Sequence, residues 1–218
     1  MIDFLYLDTP LAIDLLCHAA DRVAESRQYL CDIDALSGDG DHGIGMTKGM
    51  QKAKTVISGM RNISNVFDIF KEFGKAMIMT MGGASGIIFG SLFMSGAADM
   101  PAREKVSSCD FAVMMEKSLS VIKERGKAEP GDKTMIDALS PAVTAMKDNA
   151  PEGYAKMLYV AAAAAEKGME ATKNMIAKKG RSKSLAERSL GHPDAGAVSV
   201  YLIFLSMSEF IGSLKNNG

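Results

Sequence analysis

T-P-L-A-I-D-L-L-C-H-A-A-D-R-V, running from Thr9 to Val23, sets the character of the chain. Thr9-Pro10 joins an N-cap residue to a proline at the first helical position. Leu11, Ile13, Leu15, Leu16, Ala19, Ala20 and Val23 then recur at helical spacing. The pattern predicts a helix with a wide apolar face that reaches about Cys31. Outward from it, helical signals dominate and strand alternation is nearly absent. A second helix is predicted from Met46 to about Ile57. A third, capped by Ser64, runs to about Thr80 with Val66, Ile69, Phe70, Phe73 and Met77 as its buried stripe. A fourth covers Ser85 to Ala98, and a fifth begins at Ser108 and ends near Gly126 as a C′ residue. Asp132 caps a sixth, kinked by Pro141. The seventh extends from Pro151 to Lys179, and the eighth from about Ala195 to Leu214, after a polar loop at Arg181 to Asp194.

Eight helices with no clear domain break predict an all-α fold, a single domain over residues 1–218, arranged as an antiparallel up-and-down barrel or bundle. The polar, glycine-containing loops follow helices one, three, five and seven. In an alternating arrangement those four loops share one end, and the site is expected there.

Bulk properties narrow the function. The 218 residues are 47% hydrophobic, enough for one large domain with a core. A net charge of −1 offers no basic field for nucleic acid. The 17 methionines suit irregular gaps between helices. Cys17, Cys31 and Cys109 are odd in number and scattered, which argues for a reducing compartment. No basic region or small-residue cleavage site marks the N-terminus, so a cytoplasmic location is expected. Ala76 to Ala98 lacks charge over a spanning length. G-G-A-S-G interrupts it at Gly82–Gly86, and unpaired backbone is costly in lipid, so no membrane span is expected.

The chemistry concentrates in D-A-L-S-G-D-G-D-H-G, Asp34 to Gly43, which sets Asp34, Asp39 and Asp41 among three glycines. Like charges this close favour a cation among them. Hard oxygen ligands suit Mg²⁺ or Ca²⁺, and Mg²⁺ usually accompanies phosphate. An EF-hand fails, because the twelfth residue counted from Asp32, Asp34 or Asp39 is Gly43, Gly45 or Met50 rather than an acid. A solvated acidic turn stays open. Gly38, Gly40 and Gly43 match a dinucleotide G-x-G-x-x-G, but no strand precedes them. No phosphate-binding G-x-x-x-x-G-K-[ST] occurs either. G-G-A-S-G at a helix start is either an anion site or a close helix contact. Gly131 to Met135 and Asp194 read most simply as caps, and Arg181 and Arg188 as cations able to meet phosphate. His42 is a candidate nucleotide contact, His18 is structural, and no Ser–His–Asp or Cys–His relay is suggested.

Four motifs occur in order: D-x-x-x-x-D-x-D-H-G, G-G-A-S-G, R-G-K-A-E-P-G-D-K-T-M and G-R-(x)n-E-R-S-x-G-H-x-D-x-G-A. The chain resembles the nucleotide-binding L subunit of bacterial dihydroxyacetone kinase, a domain that also forms the C-terminal half of single-chain ATP-dependent enzymes. The resemblance implies an eight-helix barrel with ADP or ATP and two Mg²⁺ at one end. It makes Asp34, Asp39 and Asp41 the Mg²⁺ ligands. His42, Gly43, Ile44 and Gly45 would hold phosphate with Ala84 and Ser85, and Gly126 and Met135 would line the adenine and ribose region. Arg181 would approach the phosphates, and Asp194, Ala195 and Gly196 would close the pocket. Two departures stand out: the family usually has Asn at Gly45 and often Pro at Ala195. The resemblance further implies a ketose-binding K subunit as partner and a phosphotransferase-system M subunit that rephosphorylates ADP, which an independent chain of this length favours over exchanging ATP. A homodimer is expected, and a transcription regulator is a further partner of such subunits. The acceptor is dihydroxyacetone or a related ketose such as erythrulose, and the alternative role is non-catalytic regulation.

Overall fold

The structure is a computed structural model that describes residues 5–216, and of Arg181, Leu185, Lys215 and Asn216 the backbone alone. Nine α-helices and one short ribbon, with three 3₁₀ segments between helices, make up the regular elements among the described residues. They are β1 (Tyr6–Asp8), α1 (Thr9–Glu25), α2 (Arg27–Ala35), α3 (His42–Ser58), α4 (Val66–Met81), α5 (Gly83–Ala98), β2 (Lys105–Ser107), α6 (Ser108–Gly126), α7 (Met135–Asn149), α8 (Tyr154–Ala171) and α9 (Ala195–Asn216).

The ninth helix comes from a break in the first. Ser26 sits at φ −85°, ψ 8°. Its hydroxyl and its N–H both donate to the Arg22 carbonyl, at 2.9 and 3.1 Å. A serine that bonds back to its own helix competes with the next turn, so the chain turns there and α2 starts anew. The remaining eight long helices form a closed ring. Each packs on its successor, α1 on α3 and so on to α9, and α9 returns against α1. The expected barrel is present, with α2 added at its end.

Other boundaries moved for local reasons. Asp8, not Thr9, caps α1 by accepting from the Leu11 N–H at 3.1 Å. Thr134 outcompetes Asp132 as the cap of α7, because its hydroxyl and the Asp137 carboxylate form a reciprocal capping box. The left-handed residue that ends α6 is Lys127 (φ 46°), one position beyond Gly126. Thr172 donates its hydroxyl to the Met169 carbonyl at 2.6 Å as α8 ends, eight residues short of the expected Lys179.

The core is aromatic on one side of the ring. Phe67, Phe70 and Phe73 follow at i, i+3 and i+6 on α4 and are fully buried. Phe73 meets Phe93 edge-on at 4.8 Å, and Phe111 lies between Phe70 and Tyr154 at 5.8 and 5.6 Å. Each such pair contributes about 1 kcal/mol beyond its buried area. The Tyr154 hydroxyl donates to the Val106 and Ser107 carbonyls, both at 3.1 Å, which ties the ribbon to α8.

The uncharged stretch Ala76 to Ala98 is split between α4 and α5 by Gly82 and Gly83, both at positive φ (67° and 60°). Among the described helices, α9 alone is long and apolar enough to cross a bilayer, yet half of that span is buried inside the fold. Its apolar surface packs on α1, α7 and α8.

Candidate functional site

A cavity of about 630 Å³ opens at the end of the barrel where the connections after α2, α4, α6 and α8 meet. Its walls draw on four separate stretches: Asp34 to Lys48, Met81 to Phe89, Lys133 to Met135, and Lys179 to Gly196. These lie on the four connections that alternation of the helices assigns to one end.

The acidic wall comes from α2 and the turn before α3. Oxygens of Asp34, Asp39 and Asp41 lie within 4.8 Å of one another, with Asp34 partly buried and the other two exposed. Three carboxylate oxygens at that spacing can share a hard divalent cation, and their convergence without one carries a like-charge penalty. The donor set therefore fits Mg²⁺. The His42 N–H donates to Asp34 Oδ2 at 3.2 Å and fixes that carboxylate against the start of α3. The His42 ring is held from the other side, with Nε2 2.8 Å from the Ser199 hydroxyl and the ring 5.7 Å from Phe89.

Two helices begin at this cavity, α3 at His42, whose N–H is taken by Asp34, and α5 at Gly83, which has no side-chain cap. Their first-turn N–H groups and positive dipole ends make anion-binding positions. The left-handed turn at Gly82 and Gly83 aims the second one, in a conformation that only glycine adopts without strain. Gly43 has a different reason for being glycine: an added Cβ would lie 2.1 Å from the Arg27 carbonyl oxygen, so α3 packs directly on α2 there. Gly45 faces open space, with the Met81 methyl 4.0 Å from where a Cβ would stand.

The remaining wall is built on the buried Lys133 and the part-buried Asp194. Lys133, at φ 59° and 2% exposed, donates to the carbonyls of Thr172 (2.9 Å), Met175 (3.2 Å), His192 (2.8 Å) and Ser189. Asp194 accepts from the Ala197 N–H at 2.8 Å and caps α9. Burial pushes its carboxyl up to about 7, with help from Asp137, while the Ala197 amide and Lys133 pull it back. Burial also lowers the Lys133 ammonium, opposed by Asp194.

Of the residues expected from sequence, Asp34, Asp41, His42, Ile44, Gly45, Ala84, Ser85, Met135, Asp194, Ala195 and Gly196 line the cavity. Asp39 joins through the acidic cluster. Gly43 turns its face to α2 instead. Gly126 stands one side chain back, its would-be Cβ 3.7 Å from Ile88, which does line the cavity. The side chain of Arg181 lies outside the described residues. Sequence reading passed over Lys48, Lys133, Lys179 and Ser199. Lys48 alone carried a local signal, one turn beyond Gly45 on the same helix.

Comparison with solved structures places this architecture. The dihydroxyacetone kinase of C. freundii superposes with a TM-score of 0.73 at 25% identity, over 96% of this chain and 36% of that one. The fold is the all-α barrel found in that class of kinase. The chain belongs to the DAK2 domain family, whose pattern matches residues 37–209. The ADP-binding subunit DhaL of PEP-dependent dihydroxyacetone kinase 1 from Listeria innocua is 36% identical over 204 residues, 93% of this chain and 96% of that protein. D-erythrulose kinase of Mycolicibacterium smegmatis is 32% identical over 195 residues, 88% of this chain and 34% of that enzyme.

Proposed function

We propose that this chain is the nucleotide-bearing subunit of a short-ketose kinase, holding ADP or ATP with two Mg²⁺ and passing the terminal phosphoryl group to a ketose carried by a partner K subunit. The observation that carries the reading is the juxtaposition of three carboxylates with the starts of α3 and α5 at one end of the barrel. Cation ligands and anion donors side by side are what a metal–polyphosphate complex requires.

In this reading Asp34, Asp39 and Asp41 hold the metal. Mg²⁺ held by these three carboxylates would supply positive charge to offset the charge that develops on the phosphates during transfer. The segment His42 to Gly45 at the start of α3 and the segment Gly83 to Ser85 at the start of α5 hold the phosphates from two directions, and Arg181 approaches them. The region of Met135 and Gly126 receives the base and ribose, and Asp194 to Gly196 bound the pocket beside it. Phosphoryl transfer needs positioning and charge neutralisation more than covalent chemistry. The similarity to an ADP-binding subunit of a PEP-dependent kinase supports ADP as a retained coenzyme, recharged by a phosphotransferase-system M subunit. The similarity to an erythrulose kinase favours one further reading, a tetrose as acceptor.

Reconstitution with the cognate K subunit tests the proposal. Dihydroxyacetone or erythrulose with ATP, or with a phosphotransferase donor, should yield ketose phosphate only when this chain is present. No product with any acceptor and donor would turn the reading to a non-catalytic nucleotide-binding regulator.

A further inference from the structure

The connection between α8 and α9, from Thr172 to Asp194, is long and has no α-helix of its own. It contains two 3₁₀ segments, Thr172–Asn174 and Arg181–Ser189, the second broken at Ala186 (φ 46°, ψ −120°). A connection of this length is costly to order and is usually either functional or unfolded. Here its order comes from the base. The Gly191 N–H donates to the Lys173 carbonyl at 2.8 Å, the Ala177 N–H to the Ser189 hydroxyl at 3.0 Å and the Asp194 N–H to the Thr172 hydroxyl at 2.9 Å. The Lys178 N–H crosses to the Asp132 carbonyl at 3.1 Å.

At the centre of that base is the Lys133 ammonium. Thr172 and Met175 bring carbonyls from the outgoing limb, and Ser189 and His192 bring them from the returning limb. An ammonium has three N–H groups, so four oxygens surround it much as they would a small metal ion. The residue is held at a left-handed φ of 59°, a conformation that costs a non-glycine residue about 1 kcal/mol. Strain retained at a buried charge calls for a role. Lys133 also lines the cavity beside Thr134 and Met135, and the carbonyls it holds at Met175 and His192 lie just ahead of two further lining segments, Lys179 to Ser182 and Asp194 to Gly196.

We propose that Lys133 is a positioning residue whose ammonium, ringed by carbonyls from both limbs of the α8–α9 connection, sets how long that connection stays folded beside the cavity and so sets the residence time of a bound nucleotide. The residence-time half rests on the nucleotide reading above. The clasp itself does not.

The test compares the whole chain with Lys133→Met, which keeps the apolar stem and removes the cation, and with Lys133→Arg, which restores a cation. Trypsin cleavage after Lys179, Lys183 or Arg188 should be at least tenfold faster in the Met variant, with unchanged helical circular dichroism. Release of a fluorescent ADP analogue with Mg²⁺ should be at least tenfold faster and its association within twofold. The Arg variant should recover part of both losses, a split and a rescue that general destabilisation does not give. Cleavage within twofold of wild type overturns the clasp. Faster cleavage with unchanged release, or association slowed as much as release is accelerated, overturns the residence-time claim. A wild-type chain that binds no analogue removes the nucleotide reading and the residence-time claim with it, while cleavage still decides the clasp. Should the Met variant fail to fold, hydrogen exchange on wild type decides: the amides of Lys178, Gly191 and Asp194 opening as one unit supports the clasp, and independent opening refutes it.

Discussion

The cavity wall at Asp34, Asp39 and Asp41 gathers like charges near solvent, whereas the wall at Lys133 and Asp194 buries opposite ones. The first brings three acidic oxygens within 4.8 Å of one another, and in the proposed function a metal ion joins them. The second draws its partners from within: backbone carbonyls ring the Lys133 ammonium and a helix-start amide donates to the Asp194 carboxyl, which burial nonetheless disfavours as an anion. On the proposed function one wall receives a ligand, while the other holds a shape. The two should therefore respond oppositely to pH, metal and substitution.

The largest expected contrast is in pH. Asp194 ionises at about 7 in the fold against an ordinary 3.8. The folded state thus holds this proton more tightly than the unfolded chain. Its contribution to stability is complete below about pH 4 and is lost as pH rises through 7. Urea unfolding of wild type and Asp194→Asn between pH 4 and 8 should show wild type losing up to about 4 kcal/mol relative to the variant. A difference that is flat with pH would break the contrast.

A second contrast lies within α3. Gly43→Ala forces a methyl group against the Arg27 carbonyl at 2.1 Å and should cost about 2–3 kcal/mol of unfolding free energy. Gly45→Ala meets nothing nearer than 4.0 Å and should be neutral or add up to about 1 kcal/mol through helix propensity. Equal effects in thermal denaturation would deny that α3 packs directly on α2 at Gly43.

The smallest effect is also telling. Asp41→Asn removes one exposed acidic group and should leave stability in chelator within about 0.5 kcal/mol of wild type. Wild type should gain stability from millimolar Mg²⁺ and the variant should gain little. A variant destabilised in chelator would show that the cluster is structural.

The same contrast explains what the sequence disclosed. Periodicity and loop composition were enough for eight ring helices and for the end at which their polar connections meet, because both are local properties repeated along the chain. The acidic cluster was legible because its members lie within ten residues. The break at Ser26 was not, since it depends on a side chain choosing the Arg22 carbonyl over solvent. Lys133 was hidden for a different reason. Its partners lie 39 to 59 residues away, so G-D-K-T-M looks like an ordinary helix start until the fold brings Thr172 and His192 to it. Ser199 reaches His42 across 157 residues and left no local trace. Groups that act alone or with neighbours in sequence announce themselves, while groups that act by closing a loop do not.

Calorimetric titration of ADP into the wild-type chain and Asp39→Asn, each with Mg²⁺ and with chelator, probes the acidic wall most directly. Affinity should fall at least 100-fold on chelation and by a similar factor in the variant, whose helical circular dichroism should stay unchanged. Equal ADP affinity with and without Mg²⁺, or in the two proteins, would contradict a metal seated among Asp34, Asp39 and Asp41.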